Sequence, residues 1–166
     1  MASADYQIAV ATRDDIASIL ALQEENLPKN GGLLSVRLPF QWFEVALAQI
    51  PVILARKNGQ VIGYLVASTL SSQAHLPIIQ SMMRTYSAPP DAYLYGPICV
   101  AASERGQGLP AQLFATQQRL LANRPCFTFI RRDNSVSLRA HEKIGLHKAA
   151  EFTHDGIALV VVDNVS

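Results

Sequence analysis

The stretch Ile98-Cys99-Val100-Ala101-Ala102-Ser103-Glu104-Arg105-Gly106-Gln107-Gly108-Leu109 constrains this chain more than any other. Tyr93 to Val100 reads as a strand and Ala101 to Gly108 as a polar turn. Leu109 to Leu121 reads as a helix, with Leu113, Phe114, Gln117, Leu120 and Leu121 at suitable spacing. A strand that feeds a helix through a turn with two glycines can hold an anion. Glycine lets the main chain approach a phosphate closely, and the first N–H groups of a helix point outward at the positive end of its dipole. Arg105 adds a guanidinium able to donate charge-assisted hydrogen bonds. The same glycines also suit a turn that merely joins two elements, so the spacing alone leaves both readings open. A P-loop is excluded, because no Gly-x-x-x-x-Gly-Lys-Ser/Thr run exists, and a Rossmann fingerprint lacks its third glycine.

Around this segment the chain alternates strands and helices. Gln7 to Ala11 is a weak strand, and Thr12 can cap a helix in which Ile16, Ile19, Leu20 and Ala21 recur to about Glu25. Pro28, Gly31 and Gly32 break that helix, and Pro39 can start another that lasts until Pro51. Val52 to Arg56 and Val61 to Thr69 flank Asn58-Gly59, a pair suited to the positive φ angles of a tight hairpin. Ser71 to Asp91 reads as a variable loop with a short helix around Ile78 to Arg84. Cys126 to Ile130 is a strand, Asn134 or Ser135 caps a helix to about Ile144, and Gly145 closes it. His147 to Phe152 and Ile157 to Val162 form a hairpin across Asp155-Gly156. The expected fold is α+β: a mixed, mostly antiparallel sheet of about seven strands, split after the Tyr93 to Val100 strand, with four helices on its faces.

With 166 residues, 49% of them apolar, the chain can bury a core without metal or disulfide, so residues 1–166 are expected to form a single domain. A net charge of +1 offers no broad field for nucleic acid or an anionic membrane. The start, MASADYQ, lacks a basic and apolar leader, and no run approaches the about 18 apolar residues needed to cross a bilayer. The two cysteines, Cys99 and Cys126, sit in apolar strands and suit buried thiols in a reducing compartment. Cytoplasm is therefore expected. No two of the four histidines share a spacing such as His-x-x-x-His, so no metal is expected.

Ile98-x-Val100, then Glu104-Arg105-Gly106-Gln107-Gly108-Leu109 and Leu113-Phe114, resembles the acetyl-CoA-binding motif of Gcn5-related N-acetyltransferases, Arg/Gln-x-x-Gly-x-Gly/Ala. Asn134-x-x-Ser137 through Glu142-Lys143-Ile144-Gly145-Leu146 is similar to the same family's Asn-x-x-Ala followed by Tyr-Glu-Lys-x-Gly-Phe. The resemblance covers nearly the whole chain. It implies that acetyl-CoA is the co-substrate and that the acetyl group passes directly to an amine of a small molecule or protein. It further implies that the main chain of Ile98, Cys99 and Val100 meets the pantetheine arm, with the Val100 amide facing the developing oxyanion. Arg105, Gly106, Gln107, Gly108, Leu109, Pro110 and Ala111 would hold pyrophosphate, Asn134 would face the cofactor arm, and Lys143, with Arg131, Arg132 and Arg139 nearby, would meet the 3′-phosphate.

Two positions depart from the pattern. Pro110 replaces the motif's last Gly/Ala and has no N–H to donate, although proline is comfortable at a helix start. His141 stands where the family has a tyrosine acid, and a histidine of ordinary pKa near 6.5 could protonate the departing thiolate. These departures also motivate an alternative, a catalytically inactive CoA-binding sensor or interaction domain of the same fold. Tyr95, on the strand bordering the acceptor, could orient an amine or water, and Glu25 could attract a cationic amine. The acceptor pocket would draw on the Leu27 to Leu38 and Ser71 to Asp91 segments. The apolar strand Ile157 to Val162 offers an edge for a homodimer.

Overall fold

The computed structural model describes residues 5–32, 34 and 36–165. Residues 1–4 and Ser166, and Leu33 and Ser35 in the segment expected to meet the acceptor, lie outside the described residues. The strands are β1 (Gln7–Val10), β2 (Ile53–Lys57), β3 (Gln60–Thr69), β4 (Tyr93–Val100), β5 (Cys126–Arg131), β6 (His147–His154) and β7 (Ile157–Asp163). The helices are α1 (Ile16–Glu25), α2 (Phe40–Gln49), α3 (Leu70–Gln73), α4 (Pro77–Met83), α5 (Leu109–Leu120) and α6 (Ser135–Lys143). The strands follow the order β1-β2-β3-β4-β5-β7-β6 in a seven-stranded sheet, and only β4 and β5 among the pairs with a defined register run parallel.

The chain forms two compact units, Met1–Ala67 with Gly96–Ala122, and Ser68–Tyr95 with Asn123–Ser166. In the first, β2 and β3 turn at Asn58-Gly59 with φ of 52° and 78°, the positive values this dipeptide tolerates. Ile16, Ile19 and Leu22 of α1, Phe43 and Ala46 of α2, and Leu54, Tyr64 and Val66 of the sheet make its core. Asp15 opens α1 and is 8% exposed; it accepts from the Thr12 amide at 2.8 Å and the Arg56 guanidinium at 2.6 Å. Burial would raise its pKa, but the Thr12 amide and Arg56 outweigh that and hold it below the usual carboxylate value.

In the second unit, β6 and β7 turn at Asp155-Gly156, with φ of 49° and 76°. Ile79 and Met82 of α4, Tyr86, Phe127, Phe152, Leu159 and Val161 pack together there. The short helix expected around Ile78 to Arg84 is α4, and Ile79, Met82 and the following Tyr86 are buried, so this part of the Ser71 to Asp91 segment packs on the core. One expectation is corrected here. β7 is not an edge strand: it pairs with β5 from Phe127↔Asp163 to Arg131↔Leu159 and with β6 along its length, so it offers no edge to a second copy. Among the described residues, no helix is long and apolar enough to cross a membrane.

Candidate active site

The chemistry of the glycine turn follows from how β4 delivers it. The Ala101 N–H donates to the Ile62 carbonyl at 2.8 Å, and the Cys99 carbonyl lies towards Gly63, so these groups face β3. Main-chain groups alternate along a strand, so those of Ile98 and Val100 point away from β3. Cys99 instead faces the core: it is 5% exposed, and its thiol lies 3.9 Å from the Leu22 carbonyl as a weak donor. Burial pushes the Cys99 thiol up to about 11, too high for a nucleophile at neutral pH.

After a short 3-10 turn at Ala102–Glu104, the chain passes through Gly106 and Gly108, whose φ values of 76° and 75° are left-handed. No atom lies within 4 Å of where a Cβ would stand at either glycine, so the turn is an open cradle. α5 begins at Leu109, and its first backward bond runs from the Gln112 N–H to the Gly108 carbonyl at 3.3 Å. The N–H groups of Leu109 and Ala111 precede that bond and have no intrahelical acceptor, while Pro110 between them has no N–H. The donor set fits a pyrophosphate: Gly106, Gln107, Gly108 and Ala111 are exposed around a helix start, Leu109 is buried, and Pro110 has no N–H.

Two neighbouring side chains fix the turn. Glu104 is 5% exposed and accepts from the Lys57 ammonium at 2.8 Å and, more loosely, from the Tyr6 hydroxyl at 3.4 Å. Its charge is thereby turned inward and neutralised, away from the cradle. Arg105 donates to Asn26 Oδ1 at 2.7 Å. Neither Glu104 nor Asn26 stands out in the sequence, because nothing local marks partners 47 and 79 positions away.

In the second unit, Asn134 Oδ1 accepts from the Ser137 amide at 3.1 Å and caps α6. His141 follows on the same helix, with Nδ1 2.7 Å from the Ser137 carbonyl and 3.3 Å from its hydroxyl. A carbonyl can only accept, so Nδ1 carries the proton. Burial lowers the His141 pKa despite the raising effect of the Ser137 bond, so the ring is neutral at pH 7 and Nε2 keeps its lone pair. Tyr95 packs edge-on against this ring, centroids 5.5 Å apart, and is 2% exposed, with burial pushing its hydroxyl pKa up. Lys143 is exposed in the last turn of α6, and Arg131 is held by Asp133 through two bonds of 3.0 and 2.9 Å. Glu25 is exposed, whereas its neighbour Glu24 pairs with Lys29 and Arg37.

The family model described as acetyltransferase (GNAT) family matches residues 16–146, a span that contains both the glycine turn and α6. The chain belongs to the GNAT acetyltransferase family. It is an acetyl-CoA-dependent N-acetyltransferase, and acetyl-CoA is its co-substrate. Solved structures share the GNAT fold at low identity. An N-acetyltransferase from Staphylococcus aureus Mu50 is 21% identical with a TM-score of 0.69, covering 96% of this chain and 97% of that one. Ard1 from Thermoplasma volcanium is 16% identical with a TM-score of 0.70, covering 95% of each chain. YncA from Salmonella typhimurium, solved with its cofactor acetyl-CoA, is 17% identical with a TM-score of 0.67, covering 95% and 92%. No match was found among curated protein sequences.

Proposed function

We propose that this GNAT enzyme transfers the acetyl group to a primary amine of a small molecule or protein by direct attack, in the cytoplasm. The observation that carries the reading is the open left-handed turn at Gly106 and Gly108, which leads into a helix start with N–H groups to offer. In this reading those N–H groups, from Gly106 to Ala111 except Pro110, hold pyrophosphate. Ile98 and Val100, whose main chain points away from β3, bind the pantetheine arm, and Asn134 and Lys143 add polar contacts to the same co-substrate.

The co-substrate supplies an acetyl thioester, whose carbon bonds to the amine nitrogen as its bond to sulfur breaks. The Val100 N–H stabilises the negative charge that develops on the acetyl oxygen. His141 acts in the opposite sense to the acid inferred from the family tyrosine. Its Nε2 lone pair accepts the proton that the amine loses, and only then holds a proton to return to sulfur. Tyr95 orients the imidazole through its edge-on contact. Direct attack leaves no role for Cys99, in keeping with its buried thiol.

Initial-rate kinetics with a panel of primary amines test the proposal. Lines that intersect as both substrates are varied, with full activity in Cys99→Ala, fit direct attack. Parallel lines and an inactive Cys99→Ala enzyme would point to an acyl-cysteine route instead.

A further inference from the structure

Asn26 closes α1 and uses all its polar atoms within its own unit. Its N–H donates to the Gln23 carbonyl at 3.0 Å, and its carbonyl accepts from the Leu34 N–H at 3.0 Å. Its Nδ2 donates to the Leu22 carbonyl at 2.9 Å, and its Oδ1 accepts from Arg105 Nη2 at 2.7 Å. The residue is only 5% exposed. Gly32 lies flat against it: a Cβ there would stand 1.9 Å from the Asn26 carbonyl oxygen, and the Gly32 N–H is fixed to the Leu27 carbonyl at 3.0 Å. The loop after α1 therefore closes on Asn26, and the side chain that holds Asn26 from outside comes from the phosphate turn.

A guanidinium in this position can clamp phosphate or brace the fold. One donor, Nη2, engages Asn26; withdrawing it would strip a buried oxygen of its donor, so the guanidinium is held at Asn26 even though its other N–H groups are free to reach solvent or an anion. It also stands at the carboxyl end of α1, where a cation is favoured. We propose that Arg105 is a positioning residue: it tethers the phosphate turn through Asn26 to the loop that follows α1, so that an anion bound by the turn's main-chain N–H groups stiffens that loop at Gly32 and Leu34. The proposal rests on the turn being the pyrophosphate site. It gives the family's basic motif residue a mechanical task in this chain, and links the co-substrate to the loop expected to meet the acceptor.

Amide hydrogen exchange at Gly32 and Leu34, read alongside acetyl-CoA calorimetry on the full chain, tests the tether. In the wild type, acetyl-CoA should slow exchange at both amides by about tenfold. Arg105→Met should bind acetyl-CoA within about threefold of wild type, while both amides exchange about tenfold faster and no longer respond to acetyl-CoA. Arg105→Lys keeps a cationic donor for Asn26 Oδ1 and should retain the response, which a loss of general stability would not allow. An Arg105→Met enzyme that binds acetyl-CoA about thirtyfold more weakly with loop exchange unchanged would overturn the tether and make Arg105 a phosphate clamp. A loop that still responds in Arg105→Met would overturn it too. A wild type that binds no acetyl-CoA overturns the reading of the turn and the tether together, whereas a wild type that binds without slowing the loop overturns the tether alone.

Discussion

The imidazole of His141 donates its Nδ1 proton to the carbonyl of Ser137, one helical turn earlier, at 2.7 Å. That bond selects the tautomer, and burial lowers the pKa, so the ring offers the lone pair that the proposed base role needs. A base must be unprotonated to work. The kcat at saturating amine should therefore be flat at pH 7 and fall as pH drops below about 6.5, through the depressed pKa of His141. In His141→Gln the rate should fall by about 100-fold and that acidic limb should vanish. An acid role would show the reverse, a rate falling as pH rises. His141 also resists charging in the folded state, so its stability contribution is present above about 6.5 and lost as pH falls through the folded value.

Glu104 holds the cradle from beneath through Lys57, and neither side chain touches the open face of the turn. Glu104→Gln weakens that grip while leaving all the main-chain N–H groups in the chain. Acetyl-CoA affinity should fall by about tenfold by calorimetry, because donors that drift lose their shared target. Unchanged affinity would mean the turn keeps its shape without the ion pair.

Tyr86 donates to Asp163 at 2.8 Å, and Asp163 is 2% exposed. Tyr86→Phe leaves the carboxylate buried with one donor fewer and should cost about 2 kcal/mol. Urea unfolding should show a lower midpoint with an unchanged slope. Acetyl-CoA binding should not change, since this bond secures the end of the α4 segment and not the glycine turn.

Asp15 is held below its usual pKa by the Thr12 amide and Arg56 against the raising effect of burial. Its contribution is therefore present above the unfolded value near 3.9 and lost as pH falls through the folded one. Asp15→Asn should be less stable than wild type at pH 7, and the difference should shrink below about pH 3. A constant difference from pH 7 to pH 2 would show that Asp15 supports the fold without its charge.

Features set by neighbouring residues were legible in the sequence. Asn58-Gly59 and Asp155-Gly156 turn the hairpins they suggest, Gly106 and Gly108 take left-handed angles, and Asn134 caps α6. What escaped depends on distant partners. β7 looked like an edge because strand order is decided by which strand packs on either side of it, and β5 lies far earlier in the chain. The short helix near Ile78 was legible, but Pro77 and Pro89-Pro90 hid that Ile79, Met82 and Tyr86 pack into the core. Asn26 carried no sign that it would meet Arg105, since one asparagine after a helix reads as an ordinary cap. His141 was legible as a position, but its tautomer was not, because that is selected by the carbonyl it meets.

The central claim is that the turn from Gly106 to Ala111 binds acetyl-CoA although Pro110 removes one donor. A calorimetric titration of the wild-type protein with acetyl-CoA tests it most directly. The remaining N–H groups predict a Kd in the micromolar range, about −8 kcal/mol. No detectable heat or saturation at millimolar acetyl-CoA would contradict the claim and leave the glycine turn as a connection between β4 and α5.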